Sequence, residues 1–208
     1  KSLDRNQMKR AQRSDDPSHF MESEVALYEH ISTLKAIAAD PVRLYGHVEL
    51  DTIWALLVHE NIDIVVAVVS VLLEWMEVDL VNSEGEVVEG MAKLASRIAK
   101  DGADYLVGNL GRLESATESD AVGKGPDDIL SLFDTLLEMD IEYQTTTGNG
   151  LSIAASLTSD GNLLGWLFSK MDSASIGQRA LEVLTSLLSR EEVHAKYTNM
   201  AKLKPYES

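Results

Sequence analysis

Five histidines and no cysteine set the limits on metal and nucleophile chemistry in this chain. The missing thiols exclude disulfides, thiolate zinc sites and a cysteine nucleophile. His19, His30, His47, His59 and His194 are scattered, and no His-Glu-x-x-His pair occurs. His47 and Glu49 are two residues apart and would point to different faces of a helix. Structural or surface histidines are the reading, and no metal ligand is assigned. Glu138, Asp140 and Glu142 form an acidic cluster. Paired carboxylates can do acid–base work when a cleft buries them. Here they are expected in a solvated bend at a helix end, as charged surface. Gly123-Lys124-Gly125-Pro126 lacks the spacing of a phosphate-binding loop and reads as a loop tip. No Gly-x-Ser-x-Gly elbow accompanies the many serines. No catalytic, cofactor-binding or metal residue is therefore assigned, no cofactor is expected, and the partner-binding residues stay unassigned.

Trp54, Trp75 and Trp166 sit at helical spacing within apolar faces, which predicts core packing. Ladders of Trp and Asn on inner helices hold extended basic peptides in some helical-repeat grooves. No Trp-x-x-x-Asn occurs on the long helices here.

The elements that would carry these residues are helical almost throughout. Only four prolines interrupt 208 residues, and alternating strand patterns are missing. The apolar spacing predicts a helix over 18–39 (Phe20, Val25, Leu27, Tyr28, Ile31, Leu34 and Ile37), ended by Asp40-Pro41. A second is predicted over 48–59. Asn61 is the expected N-cap of a third over 62–76, with Asp63 in its positive first turn. That stretch is apolar almost all round; a strand is its alternative, but it is about twice the usual strand length. Further helices are expected over 103–113, from Pro126 onward, over a short run after Asp160-Gly161, and over 176–188.

A short amphipathic helix, a polar bend and a longer buried helix thus recur three times. Leu56, Leu110 and Leu167 mark the repeat at intervals of 54 and 57 residues. Armadillo and HEAT units take roughly 40–47 residues. Extra helices near 84–100 and 144–157 and a polar loop over 114–125 fill the difference. Each unit exposes an apolar face that a neighbour must cover, so the expected fold is an all-α, armadillo/HEAT-like right-handed α-solenoid.

Composition agrees. Hydrophobic residues make up 45% of the chain, too many for disorder. The strongly apolar stretch from Ile64 to Leu73 is about half of what a membrane-spanning helix needs. Residues 1–13 carry a local charge of +4, which leaves −20 on the rest of a chain whose formal net charge is −16. That balance opposes gripping a nucleic acid backbone and favours basic protein segments. We expect residues 1–17 to form a basic segment or capping helix, and 18–208 to be repeats opening a longer array. Lys1 to Arg13 could equally act as a nuclear-import signal.

Specific strings resemble the beta-catenin-like protein 1 family. They begin with Asn6-Gln7 and Phe20-Met21-Glu22-Ser23-Glu24, then Pro41, Leu44-Tyr45 and Val48-Glu49-Leu50. Leu56-Leu57, His59-Glu60-Asn61-x-Asp63, Ala67-Val68-Val69 and Leu72-x-Glu74 continue the register. Leu106-Val107-x-Asn109-Leu110-x-Arg112-Leu113-Glu114 is similar to a second block, and Ala180-Leu181-Glu182-Val183-Leu184 with Leu187-Leu188 to a third. The likeness spans about 6–190 and departs over 80–100 and 140–160. It implies the N-terminal armadillo part of a nuclear, non-enzymatic protein of the spliceosome-associated nineteen complex. It also implies partners with basic, nuclear-localisation-type segments, the Myb-like scaffold of that complex among them. Neither nucleic acid nor membrane is an expected partner, and a homo-dimer is carried as an option. The alternatives are a generic cytoplasmic armadillo/HEAT adaptor and a metal-dependent helical hydrolase using Glu138, Asp140 and Glu142.

Overall fold

The computed structural model describes residues 1–40, 44–45, 48–77, 83, 85–115 and 125–203, with side chains up to residue 198. The expectations for Pro41, His47, Gly123, Lys124 and most of the 114–125 loop fall outside the described residues. Among the described residues the structure is helical and contains no strand.

The chain begins with α1 (Ser2–Gln12), then a 3₁₀ turn at Pro17–His19 and α2 (Met21–Thr33). A 3₁₀ segment, Leu34–Ala39, follows α2 directly. The continuous helix expected over 18–39 is therefore an α-helix with a tighter turn at each end. Asp16 caps the first turn by accepting from Ser18 N. At the other end the Trp75 indole donates to Leu34 O at 2.9 Å, where the helix tightens ahead of Asp40.

Three consecutive units make up the remainder. The first is α3 (Leu50–Leu57), α4 (Ile62–Met76) and α5 (Gly85–Asp101). Next come α6 (Ala103–Ser115), α7 (Gly125–Thr147) and α8 (Ile153–Leu157). The last is α9 (Asn162–Lys170), α10 (Gly177–Leu188) and α11 (Glu191–Leu203). Equivalent helices stack: α2 on α4, α4 on α7 and α7 on α10 form the main row. In a parallel row α5 lies on α8 and α8 on α11, while α3 packs on α6. The helices expected as fillers between two-helix units are thus a third layer of the repeat, each covering the next.

The stacking explains α4. With α2, α3 and α7 against it, Ile64, Val65, Val68, Val69, Val71, Leu72, Trp75 and Met76 are all buried. A helix covered on several sides can be apolar nearly all round, which rules out the strand alternative. Its first turn is capped as expected, with Asn61 Oδ1 accepting from Asp63 N at 2.8 Å. Close approach between units has a local requirement at Gly102. A Cβ there would lie 2.7 Å from the Trp54 ring and 2.7 Å from Ile98 O.

The 144–157 expectation is corrected. α7 runs unbroken to Thr147, and α8 is only five residues. Thr145, Thr146 and Thr147 continue the helix, their hydroxyls donating to the carbonyls of Ile141, Glu142 and Tyr143 four residues back. Gly148 (φ +77°) then ends it. The Asp140 carboxylate reaches across the loop to accept from Leu151 N at 2.6 Å and Ile153 N at 3.4 Å, fastening the start of α8. α11 has no counterpart in the sequence reading. Its acidic first turn (Glu191, Glu192) suits a helix start. Lys196 ties it back by donating to Thr158 O and Ser159 O, both at 2.8 Å.

Candidate functional site

The residues singled out for chemistry are dispersed by the fold. His19, His30 and His194 are exposed. His59 is buried, between Asn6 Oδ1 at 2.9 Å and Asn61 N at 3.0 Å. Because Nδ1 accepts from a backbone N–H, the ring is neutral with its proton on Nε2, donating to Asn6. Burial, aided by the Arg10 charge, holds the imidazole below its ordinary range. The acidic cluster is corrected as well. No bend occurs at 138–142; Asp140 is buried as the loop fastener, while Glu138 is exposed on the same helix. Among the described residues no three His, Cys, Asp or Glu side chains gather so as to hold a metal. Trp54 and Trp75 are buried in the core, and Trp166 is half-buried at the other end.

What the fold builds instead is a groove of about 810 Å³ on the α2–α4–α7 row. One wall is α2. Phe20, Leu27 and Ile31 are buried, as expected of its apolar set. Val25 and Tyr28, expected with them, are 54% and 47% exposed and line the groove beside Met21, itself 59% exposed. The 21/25/28 spacing puts these three on one stripe of the helix. α2 therefore has two apolar stripes, one covered and one open.

The rim is acidic for a physical reason. Carboxylates are favoured in the first turn of a helix, where backbone N–H groups have no partner. Asp63 opens α4 and Asp128 opens α7. Stacking of those helices brings both carboxylates into the lining of one groove. Glu24 adds a third from α2, held by Arg10 and by Asn61 Nδ2 at 2.9 Å.

Lys35 Nζ donates to Ser70 Oγ at 2.6 Å across the far end. A lysine beside a serine can generate a nucleophile, and such catalysis also needs paired backbone donors for the oxyanion. Ser70 lies in the middle of α4, where neighbouring N–H groups belong to the helix ladder. The pair therefore closes the groove as a hydrogen bond between the 3₁₀ segment and α4. The site presents apolar contact and charge.

The stacked three-helix units and their open groove define an armadillo-type helical-repeat protein. The family model described as catenin-beta-like, Arm-motif containing nuclear, matches residues 1–204. The chain belongs to this catenin-beta-like family, whose description agrees with the nuclear location expected from the sequence. It is 27% identical to the beta-catenin-like protein 1 homolog of Schizosaccharomyces pombe over 96% of its own length and 34% of that relative's. Beta-catenin-like protein 1 of Mus musculus is 32% identical over 57% of this chain, and that of Homo sapiens 31% over the same share, each covered to 21% of its length. The chain thus spans about a third of the fission-yeast relative and about a fifth of the mammalian ones.

Sequence reasoning did not find the groove. The signal was present as Met21, Val25 and Tyr28 beside the Phe20, Leu27 and Ile31 stripe. A single chain does not reveal which of two stripes its neighbours leave uncovered.

Proposed function

We propose that this chain is a non-enzymatic protein-binding scaffold of pre-mRNA splicing, within the spliceosome-associated nineteen complex. In this reading it holds basic, nuclear-localisation-type segments of splicing factors in the α2–α4–α7 groove. The observation that carries the binding role is the open Met21/Val25/Tyr28 stripe beneath a rim of Glu24, Asp63 and Asp128. The splicing assignment rests on the family resemblance. Large side chains of the partner would cover the stripe, while its Lys and Arg side chains would face the rim. A surface already set by stacked helices loses little conformational freedom on docking. The carboxylates would steer encounter and raise the on-rate more than the final affinity.

Fluorescence anisotropy with a labelled Lys/Arg-rich peptide carrying one or two leucines tests this reading. Binding should weaken clearly between low and physiological salt, because exposed charges are screened beyond about 8–10 Å. Val25→Glu and Tyr28→Ala should each weaken it at fixed salt. Binding indifferent to both substitutions would place the peptide elsewhere. A pull-down from nuclear extract that recovers no splicing factor would count against the splicing assignment.

A further inference from the structure

The basic helix α1 and the groove share one carboxylate. Arg10, on α1, pairs with Glu24 Oε1 and with Glu60. Its guanidinium also lies over the Phe20 ring, 4.4 Å from the centroid. The Glu24 side chain is 14% exposed and that of Arg10 19%. Since Asn61 donates to Glu24 Oε2, both oxygens of this groove-lining carboxylate are engaged. This rim charge is thus already neutralised, by a cation from the chain's own N-terminal helix.

We propose that α1 is a regulatory latch: docked, it withholds Glu24 from a basic partner; released, it restores that charge to the groove. This rests on the groove's being a site for basic segments. The latch is built to release. α1 has eleven residues, and Leu3 is the apolar side chain it buries. Isolated helices shorter than about 12–15 residues are marginal in water, so α1 depends on its contacts to stay folded. Beyond Leu3 and the Phe20 ring those contacts are polar: Asn6 Nδ2 donates to Ser23 Oγ at 3.1 Å, His59 donates to Asn6, and Arg10 makes its two ion pairs. A partner bringing its own cation to Glu24 competes for the contact that spans α1 and the groove wall. When Arg10 leaves without a replacement, a largely buried carboxylate loses its cation, which favours binding of a new one.

Linkage makes this testable from both sides, since peptide must loosen α1 by the factor with which α1 weakens peptide. With the labelled Lys/Arg-rich peptide, Arg10→Gln should bind about three- to tenfold tighter than the unmodified chain. Arg10→Lys keeps the cation and should remain close to the unmodified chain. The gain should vanish in Arg10→Gln/Glu24→Gln. In the unmodified chain, hydrogen exchange of the amides of residues 5–12 should quicken at saturating peptide. That readout holds even where a substitution impairs folding. Peptide binding without a gain in folded Arg10→Gln, a gain that persists in the double variant, or unchanged α1 protection at saturation would each overturn the latch and leave the groove reading standing. Absence of peptide binding in every chain at low salt would overturn the groove reading, and the latch with it.

Discussion

Asn109→Leu tests whether the Asn109-Leu110-x-Arg112 string is a lock between repeats. Asn109 is 4% exposed on α6. Its amide donates to Leu57 O at 2.9 Å and Tyr105 O at 2.8 Å. Arg112, one turn on, donates to His59 O at 2.5 Å and Glu60 O at 2.6 Å. The last four carbonyls of a helix lack intrahelical partners, and the Leu57 carbonyl is one of them on α3. α6 thus uses two side chains to serve carbonyls at and beyond the end of α3. Leucine keeps comparable bulk but cannot donate. A buried carbonyl deprived of its donor costs about 1–3 kcal/mol. For about 200 residues that corresponds to a fall in Tm of roughly 2–12 °C, at about 2–4 °C per kcal/mol. Asn109→Asp should be at least as harmful, because it sets a carboxylate oxygen against two carbonyls. Thermal and urea melts by circular dichroism measure the loss. Near-ultraviolet signals report on the same contact, because Trp54 and Tyr105 stack across it at 6.2 Å. Repeat arrays can unfold in stages, so this local probe and the helical signal should be followed together. If Asn109→Leu melts with the unmodified protein, or Asn109→Asp is the more stable variant, the carbonyl-serving role is wrong.

Three further outcomes follow from other contacts. Gly102→Ala should destabilise by about 1–3 kcal/mol and perturb tryptophan emission, since the added Cβ meets the Trp54 ring and the Ile98 carbonyl at 2.7 Å. Asp140→Ala removes the acceptor for two N–H groups and should cost about 1–2 kcal/mol in urea melts, with faster hydrogen exchange at 151–153. His59 titrates lower when folded than when unfolded, so the unfolded chain takes up the proton first. Its contribution is therefore complete above about pH 6.5 and declines as pH falls from there to its lowered folded value. Melts of His59→Asn over that range should lack this slope.

Much of the fold was legible because helix formation is a local matter. Three- and four-residue apolar spacing, Asp40-Pro41, Asn61 and Gly161 place most helices within a few residues of their observed ends. The family strings were legible too, and the structure supplies a reason for one of them: Asn109 and Arg112 serve carbonyls of the preceding unit. Elsewhere local rules misled. The stretch from 144 read as the start of a separate helix over 144–157, yet Thr145, Thr146 and Thr147 complete α7. Asp140 read as charged surface because a solvated bend was expected at that helix end. It is buried because its carboxylate meets two N–H groups from a loop eleven and thirteen residues on.

On its own, then, the sequence determined most of the helices, the threefold recurrence, the acidic balance with its basic first segment, and the family. Helical periodicity and composition are properties of short segments, and they survive whatever the chain does next. Tertiary structure decided what covers each face. It sealed Leu27 and Ile31 while leaving Val25 and Tyr28 open, aligned Asp63 with Asp128 along one rim, and set Arg10 against Glu24. Those outcomes depend on which helices stack and at what offset, and such contacts join residues far apart in the chain. Periodicity states which residues share a face; packing alone states whether that face meets a neighbour or the solvent.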